Sequence, residues 1–434
     1  MNEIRLMTLD PGHFHAALVQ KEMYPGISQR CSVFAPLGAD LIDHLARIAR
    51  FNARAENPTC WELDVHAAPD YLEHMLAAAP GNVVILSGRN LGKIEYIRCA
   101  VEAGLSVLAD KPWIIRSEDA PALAQVLDDA ARKGLAAYDI MTERYEVTSM
   151  LQRDLAGDSE IFGEMLTGSV DNPAVLMQSI HHIMKTVAGV PLKRPAWFFD
   201  IHEQGEGLSD VGVHLVDLAQ WTLFPDQAID WRSDIRILRA MRWPTVITRE
   251  EFATVTGERE FPESVRDAVS NGGLNYYCNN QIIYTLRGVH IHLDALWNVA
   301  APAGAGDTHY AVYRGSRSRI EVRQTAAERY RPELFVVPNR PGDVDKVLAA
   351  LERRLRLLAA VYPGAGVLRR DYEILVTIPD LLRIGHEAHF GQVAWKFFAF
   401  LRGEQQMPVW ETPNMLAKYH VTTTGVEMSR RGMG

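Results

Sequence analysis

The sequence predicts an α/β domain built on a parallel sheet, followed by an α+β domain with a large, mostly antiparallel sheet. Three observations lead there. Strand-like and helix-like segments alternate through the first third of the chain. The strands in that part are short apolar runs without polar alternation. After about residue 145 the strand-like runs lengthen and helices become scattered. Alternating strands and helices make βαβ units and so a parallel sheet. Uninterrupted apolar strands mean that both faces of that sheet are covered. A length of 434 residues also exceeds what one hydrophobic core usually serves, so two domains are expected, 1–145 and 146–434.

The elements follow in order. Residues 4–9 form the first strand, closed by Asp10-Pro11-Gly12, with a helical run over 15–23. A strand over 31–35 and a helix over 40–51 repeat the unit. Residues 63–67 are a third, less apolar strand, and 82–86 (Asn-Val-Val-Ile-Leu) a buried one. Residues 92–103 are helical and 105–108 extended. An amphipathic helix spans 117–133, with Ser117 as N-cap and Gly134 just past its end. Residues 135–139 close the series. Parallel sheets of this kind bind ligands at the carboxyl ends of their strands, which singles out the loops at 10–15, 35–40, 87–92 and 109–113. Beyond a boundary near 142–147, residues 280–286, 289–297 and 309–323 read as strands, and 344–362 and 391–403 as helices.

Composition narrows the class. With 47% hydrophobic and 23% charged residues, the chain is an ordinary globular one. A net charge of -9 argues against a nucleic-acid or anionic-membrane surface. Cys31, Cys60, Cys99 and Cys278 are far apart, so neither disulfides nor a zinc site are expected, and a reducing, cytoplasmic setting fits. The N-terminus reads as a first strand rather than a signal peptide, and no apolar stretch approaches a membrane span. No metal site is expected elsewhere. Gly385-His386-Glu387-Ala388-His389 puts its histidines three apart instead of four, so a packed or capping role is the reading there.

The turn after the first strand is where a dinucleotide fingerprint, G-x-G-x-x-G, would let backbone approach a pyrophosphate. Here it reads Asp10-Pro11-Gly12-His13-Phe14-His15, so only Gly12 falls on a fingerprint position, the middle one. By itself this is also what a plain strand-to-helix turn looks like. The second strand ends Phe34-Ala35-Pro36-Leu37-Gly38, without the acid that holds an adenosine ribose in NAD enzymes and without an Arg for a 2′-phosphate. Asp40 is within sequence reach, but an acid there also serves the helix dipole. NAD and NADP both stay open.

Two motifs carry chemistry. Ala109-Asp110-Lys111-Pro112-Trp113 directly follows a strand, which puts Lys111 at the ligand edge, where an ammonium can stabilise a developing alkoxide. Pro112 fixes the backbone and admits a cis bond. In isolation, an ordinary surface-loop lysine is the favoured reading of these residues. The second motif runs from Gly205 to Trp221. Asp210, His214, Asp217 and Trp221 are spaced 4, 3 and 4 apart, on one face of a helix, beside a stripe of Val211, Leu215 and Leu218. Such a face lines a pocket more readily than a core, and His214 can exchange a proton near neutral pH. A structural histidine beside a capping aspartate is the plainer alternative.

Taken in this order, the two motifs resemble the Gfo/Idh/MocA oxidoreductase family, which includes glucose–fructose oxidoreductase and inositol dehydrogenases. That family carries Glu-Lys-Pro after its fifth Rossmann strand and an Asp-x-x-x-His helix in its second domain. The matching residues here are Asp110-Lys111-Pro112 and Asp210 with His214. Gly306-Asp307-Thr308 and Arg314-Gly315-Ser316 are similar to its closing strand pair. The turn from Asp10 to Ala17, with Arg194-Pro195, Trp197-Phe198-Phe199-Asp200, resembles a subgroup with its own putative oxidoreductase C-terminal domain. The resemblance implies an N-terminal Rossmann domain and an NAD or NADP cofactor. It makes Lys111, Asp210 and His214 the catalytic set. It places Gly12, His13 and Phe14 on the pyrophosphate, and Ser87, Gly88, Arg89 and Asn90 on the nicotinamide side. Asp110, Lys111 and Pro112 also belong to the cofactor site, and Arg144 and Tyr145 border the substrate pocket.

His181, His182 and Lys185, dense in an apolar run, could bind sugar hydroxyls or simply cluster at a strand edge. Trp197 and Asp200 pair an aromatic face with a carboxylate, which suits a sugar. The expected activity is hydride transfer between nicotinamide and a secondary alcohol of a sugar, glycoside or polyol. Two alternatives stay open: a redox-neutral glycosidase acting through a 3-keto sugar, and a non-catalytic sugar or nucleotide sensor. A large sheet face in the second domain is expected to support a homo-dimer or homo-tetramer.

Overall fold

The computed structural model describes residues 3–187 and 190–432. The chain divides into two compact units. One runs up to Thr142 and takes back His202–Gln204 and Gly385–Thr412; the other holds Glu143–Ile201, Gly205–Ile384 and the residues from Pro413 on.

The first unit is a six-stranded parallel sheet of β1 (Leu6–Leu9), β2 (Arg30–Ala35), β3 (Glu62–Ala67), β4 (Val83–Leu86), β5 (Ser106–Asp110) and β6 (Ala137–Ile140), in the order β3-β2-β1-β4-β5-β6. Every residue of β1, β4, β5 and β6 is buried, as strands sandwiched between helices must be. β3 has no buried residue and edges the sheet. The chain crosses from β3 to β4, next to β1, so the order reverses between β1 and β4. In doubly wound sheets this switch point is where ligands bind, outside the carboxyl ends.

Helices His15–Val19, Ala39–Ala53, Tyr71–Ala78, Lys93–Glu102 and Ala120–Lys133 connect these strands. The first is shorter than expected. The third was not foreseen; only Met75 in it is buried, so it carries little apolar periodicity. Ser117 is not the N-cap expected of it. It opens a single 3-10 turn, Ser117–Asp119, and the cap position falls to Asp119 because Pro121 must sit in the first helical turn. Gly134 ends that helix in the left-handed region, as expected. Helix His386–Leu401 packs on this unit through aromatic contacts: Tyr24 lies 5.4 Å from Trp395 and 4.9 Å from Phe398, ring to ring.

The second unit is a ten-stranded, mostly antiparallel sheet. Its order is Ile235–Thr248, Gly273–Leu286, Val289–Ala300, Val175–Met184, Thr308–Arg314, Ser318–Gln324, Glu333–Pro338, Glu373–Thr377, Gly366–Arg370, with Val269–Ser270 added beside Gly273–Leu286. Val175–Met184 and Val289–Ala300 form the parallel pair within it. The run expected as one strand over 309–323 is a hairpin whose strands meet at Arg314 and Arg319. Its turn needs Gly315, since a Cβ there would lie 2.1 Å from the Phe162 carbonyl oxygen. One sheet face carries the main core, against helices Val147–Ala156, Gly212–Leu223, Val344–Leu357 and the C-terminal Glu411–Arg430. No helix among the described residues is long and apolar enough to cross a membrane.

Candidate active site

At the switch point of the parallel sheet, three strand ends are tied into one constellation. β1 hands over to Asp10, a buried residue with φ of 43°, whose amide donates to the Phe34 carbonyl at the end of β2. The Gly12 amide turns back to Asp10 O at 2.7 Å, and the His13 amide donates to Ser87 O at 3.1 Å. Gly88 is required by this approach: a Cβ on it would meet Asp10 O at 2.4 Å. Thus Gly88 brings the β4 loop against the β1 turn at a distance no side chain permits.

Asp110 closes β5 at the centre of the constellation. Its Oδ2 accepts from His15 Nδ1 at 2.9 Å and from Ser87 Oγ at 3.0 Å, and His13 Nδ1 lies 3.7 Å away. Burial pushes the Asp110 carboxyl up, but His15 overcomes this by charge and hydrogen bond. With Lys111 and His13 adding to it, the group is held well below the usual carboxylate range. The Asp110 carbonyl accepts from Lys93 Nζ at 3.0 Å, and the same ammonium donates to Asn90 Oδ1 at 2.6 Å. Asn90 in turn donates to Gln204 O at 2.7 Å. Lys111 follows, half-buried, and its bond to Pro112 is cis; Trp113 is fully buried and bonds back to Ala109 O. Arg89 is half-exposed and ion-paired with Asp40 at 3.7 Å. Phe14 packs on His13 and His15.

Ser87, Gly88, Arg89, Asn90, Asp110, Lys111 and Pro112 therefore share the carboxyl edge with Gly12, His13 and Phe14. Two participants escaped the sequence reading. Lys93 is 1% exposed. Its position four residues before buried Ile97, on the apolar stripe of its own helix, was the available signal. His15 was read only as a substitute for a glycine.

In the second unit, the Gly205–Trp221 motif splits. Helix Gly207–Asp210 ends at Val211, and Gly212–Leu223 starts anew. Gly207 is forced, since a Cβ would stand 2.0 Å from Cys278 O. Asp210 and His214 are partly exposed. Asp217, spaced to lie on their face, is instead buried and gripped by Arg144, whose Nε and Nη2 each lie 2.6 Å from a carboxylate oxygen, with Lys418 Nζ at 3.3 Å. Burial would raise its pKa, but the Arg144 and Lys418 charges and bonds bring it down to about 2. Trp221 carries the Arg153 guanidinium over its ring at 4.4 Å. Arg144, expected at a substrate pocket, is thus committed to a buried ion pair; Tyr145 follows it in the same 3-10 turn.

His181, His182 and Lys185 converge on Asp307, which sequence reasoning placed only in a strand pair. His182 Nδ1 is 3.0 Å, Lys185 Nζ 2.8 Å and His181 Nδ1 3.4 Å from its carboxylate oxygens. Burial opposes the charge, but bonds and charge from His181 and Lys185 hold Asp307 well below the usual range. Trp197 is partly exposed, while Asp200 is buried and donates its amide to Trp197 O. Cys31 and Cys278 are buried thiols pushed up to about 11 and about 12 by burial, so neither offers a thiolate.

The family match and a solved relative make the chain an oxidoreductase, built on a parallel sheet in this strand order and a large, mostly antiparallel sheet. The chain belongs to the family described as the putative oxidoreductase C terminal domain, which matches residues 151–430. A crystal structure from Parabacteroides merdae, described as a putative oxidoreductase, is 46% identical. The match covers 99% of this chain and 98% of that one, with a TM-score of 0.96. KijD10, a 3-ketoreductase from Actinomadura kijaniata solved with NADP, is 15% identical over 99% and 98% of the two chains (TM-score 0.58). GenD2 from gentamicin A biosynthesis, solved with NAD, is 14% identical over 100% and 95% (TM-score 0.59). These two share the fold. No curated protein matches the chain.

Proposed function

We propose that the protein is an NAD(P)-dependent oxidoreductase that moves a hydride between nicotinamide and a secondary alcohol of a sugar, glycoside or polyol. The observation that carries this reading is the joining of three strand ends at the switch point, where Gly88 lets the β4 loop abut the β1 turn and Asp110 fastens both to the Lys111 loop. KijD10 and GenD2 hold NADP and NAD on the same fold, which supports a dinucleotide as the ligand of this edge. A bound nicotinamide supplies the hydride acceptor or donor.

The remaining roles fall to the chain. Lys111, an ammonium at the end of β5, stabilises negative charge on the reacting oxygen. His214 accepts the hydroxyl proton on oxidation and returns it on reduction. Asp210 orients the imidazole or a substrate hydroxyl. The Asp307 cluster, with Trp197, is the group best suited to sugar hydroxyls.

The test is native mass spectrometry of the purified protein, then denaturation and identification of any released nucleotide, with titration of both cofactors. NAD or NADP bound stoichiometrically is expected. A protein that carries neither and binds neither on titration overturns the reading. With cofactor in place, a ring oxidised with new NAD(P)H marks net oxidation, whereas a released aglycone without it marks the redox-neutral reaction.

A further inference from the structure

We propose that His13, His15 and Asp110 form a binding site for one divalent transition-metal ion of the zinc, cobalt or ferrous type. A nitrogen of each histidine and a carboxylate oxygen of Asp110 all lie within 4.8 Å of one another. Asp110 Oδ2 is 2.9 Å from His15 Nδ1 and 3.7 Å from His13 Nδ1. Ligands about 2.0–2.1 Å from a tetrahedral ion stand roughly 3.3 Å apart from each other. The observed separations straddle that value, so small side-chain rotations would admit the ion.

The surroundings suit a ligand set as well. Asp110 is 4% exposed, and its Oδ1 is buried with no hydrogen-bond partner among the described residues, although Oδ2 has two. A buried carboxylate oxygen without a donor is costly unless something else satisfies it. Ser87 Oγ, on Oδ2, is the outer-sphere bond that orients a ligating carboxylate, and the Phe390 ring, 4.5 Å from that of His15, braces the imidazole. Two imidazoles and one carboxylate suit borderline divalent metals and leave coordination positions open. His13 is the most exposed of the three, at 17% of its side chain, so it marks the accessible side. An ion here leaves one excess positive charge after the carboxylate, in a turn that keeps a single fingerprint glycine. That charge would attract a phosphate oxygen, a consequence that rests on the nucleotide reading above; the ion site itself does not.

The experiment uses full-length protein stripped with a chelator and titrated with Co2+ and Zn2+. Visible d–d bands, calorimetry and metal content after dialysis are the readouts. One equivalent per chain is expected. His13→Gln and Asp110→Asn should weaken binding at least about tenfold, the scale reached by loss of outer-sphere partners alone. Thermal melts establish that each variant is folded; His13→Gln, at the most exposed of the three positions, decides the matter if Asp110→Asn does not fold. Wild-type protein that takes up neither ion, or a folded His13→Gln that binds like wild type, overturns the site. Nucleotide titration of the metal-free protein separates the two readings. Metal uptake without nucleotide binding supports the ion site and removes the cofactor assignment; nucleotide binding without metal uptake overturns the ion site and keeps the cofactor.

Discussion

Asp217→Asn distinguishes a structural cluster from a substrate site. The Asp217 carboxylate sits between Arg144 and Lys418, with side-chain exposures of 2%, 8% and 1%. The substitution keeps shape and volume but leaves two buried cations without their counter-charge. Removing one partner of a buried pair costs about 3–5 kcal/mol. A unit of this size loses roughly 2–4 °C per kcal/mol, so the melting temperature should fall by roughly 10 °C. The pH dependence gives an independent value. Asp217 titrates near 2 in the folded protein against an ordinary 3.8, so folding favours its ionised form. The stabilisation is complete above about pH 4 and is lost as pH falls toward 2; about 1.8 units correspond to about 2.5 kcal/mol, of which about 1 kcal/mol is gone at pH 3. Urea unfolding of wild type and variant at pH 7 and pH 3 reads both. Arg144→Met should show a loss of the same order. If Arg144 served substrate rather than Asp217, that variant would melt within about 2 °C of wild type and only KM would rise, a result that refutes the pairing argument.

Lys111→Ala should lower kcat by about 10²–10³ while cofactor still binds, the scale of removing one oxyanion donor; near-normal turnover with cofactor bound would sink its role. Gly88→Ala puts a Cβ into the Asp10 carbonyl, so a loss of about 1–3 kcal/mol in stability is expected together with weaker nucleotide binding, checked by melts and titration. His44 is 2% exposed, neither ring nitrogen has a partner among the described residues, and burial holds its pKa near 4. Because the unfolded chain takes up the proton first, stability should fall by about 2 kcal/mol through His44 between pH 7.5 and pH 5. His44→Leu should be flatter over that range by this amount in denaturant titrations; an unchanged slope would show that His44 is not the group responsible.

What the sequence disclosed, and what it withheld, divides along chain separation. The strands of the first unit announce themselves because burial on both faces demands apolar runs such as Val-Val-Ile-Leu at 83–86, and burial alone sets that pattern. The Asp110-Lys111-Pro112 loop could be placed at the carboxyl edge of the sheet because it directly follows such a strand. The partner of Asp217 could not be foreseen, since spacing says which residues share a helix face but not what stands opposite: Arg144 lies 73 residues earlier and Lys418 201 later. Asp307 gathers three cations or imidazoles for the same reason, through strand pairing that periodicity does not encode. The glycine-poor turn is the case where the two views meet. From sequence it reads as a fingerprint with its outer glycines lost. In the structure, His15 is bonded to a carboxylate 95 residues away, and that carboxylate to the β4 loop. Simple loss of a loop would leave no cause for such a cluster. A buried ionic pair is weak evidence for stability, because apolar groups of equal volume do as well or better. A polar set at the carboxyl edge of the sheet, where apolar residues would hold the fold, is what the ligand proposed above would require.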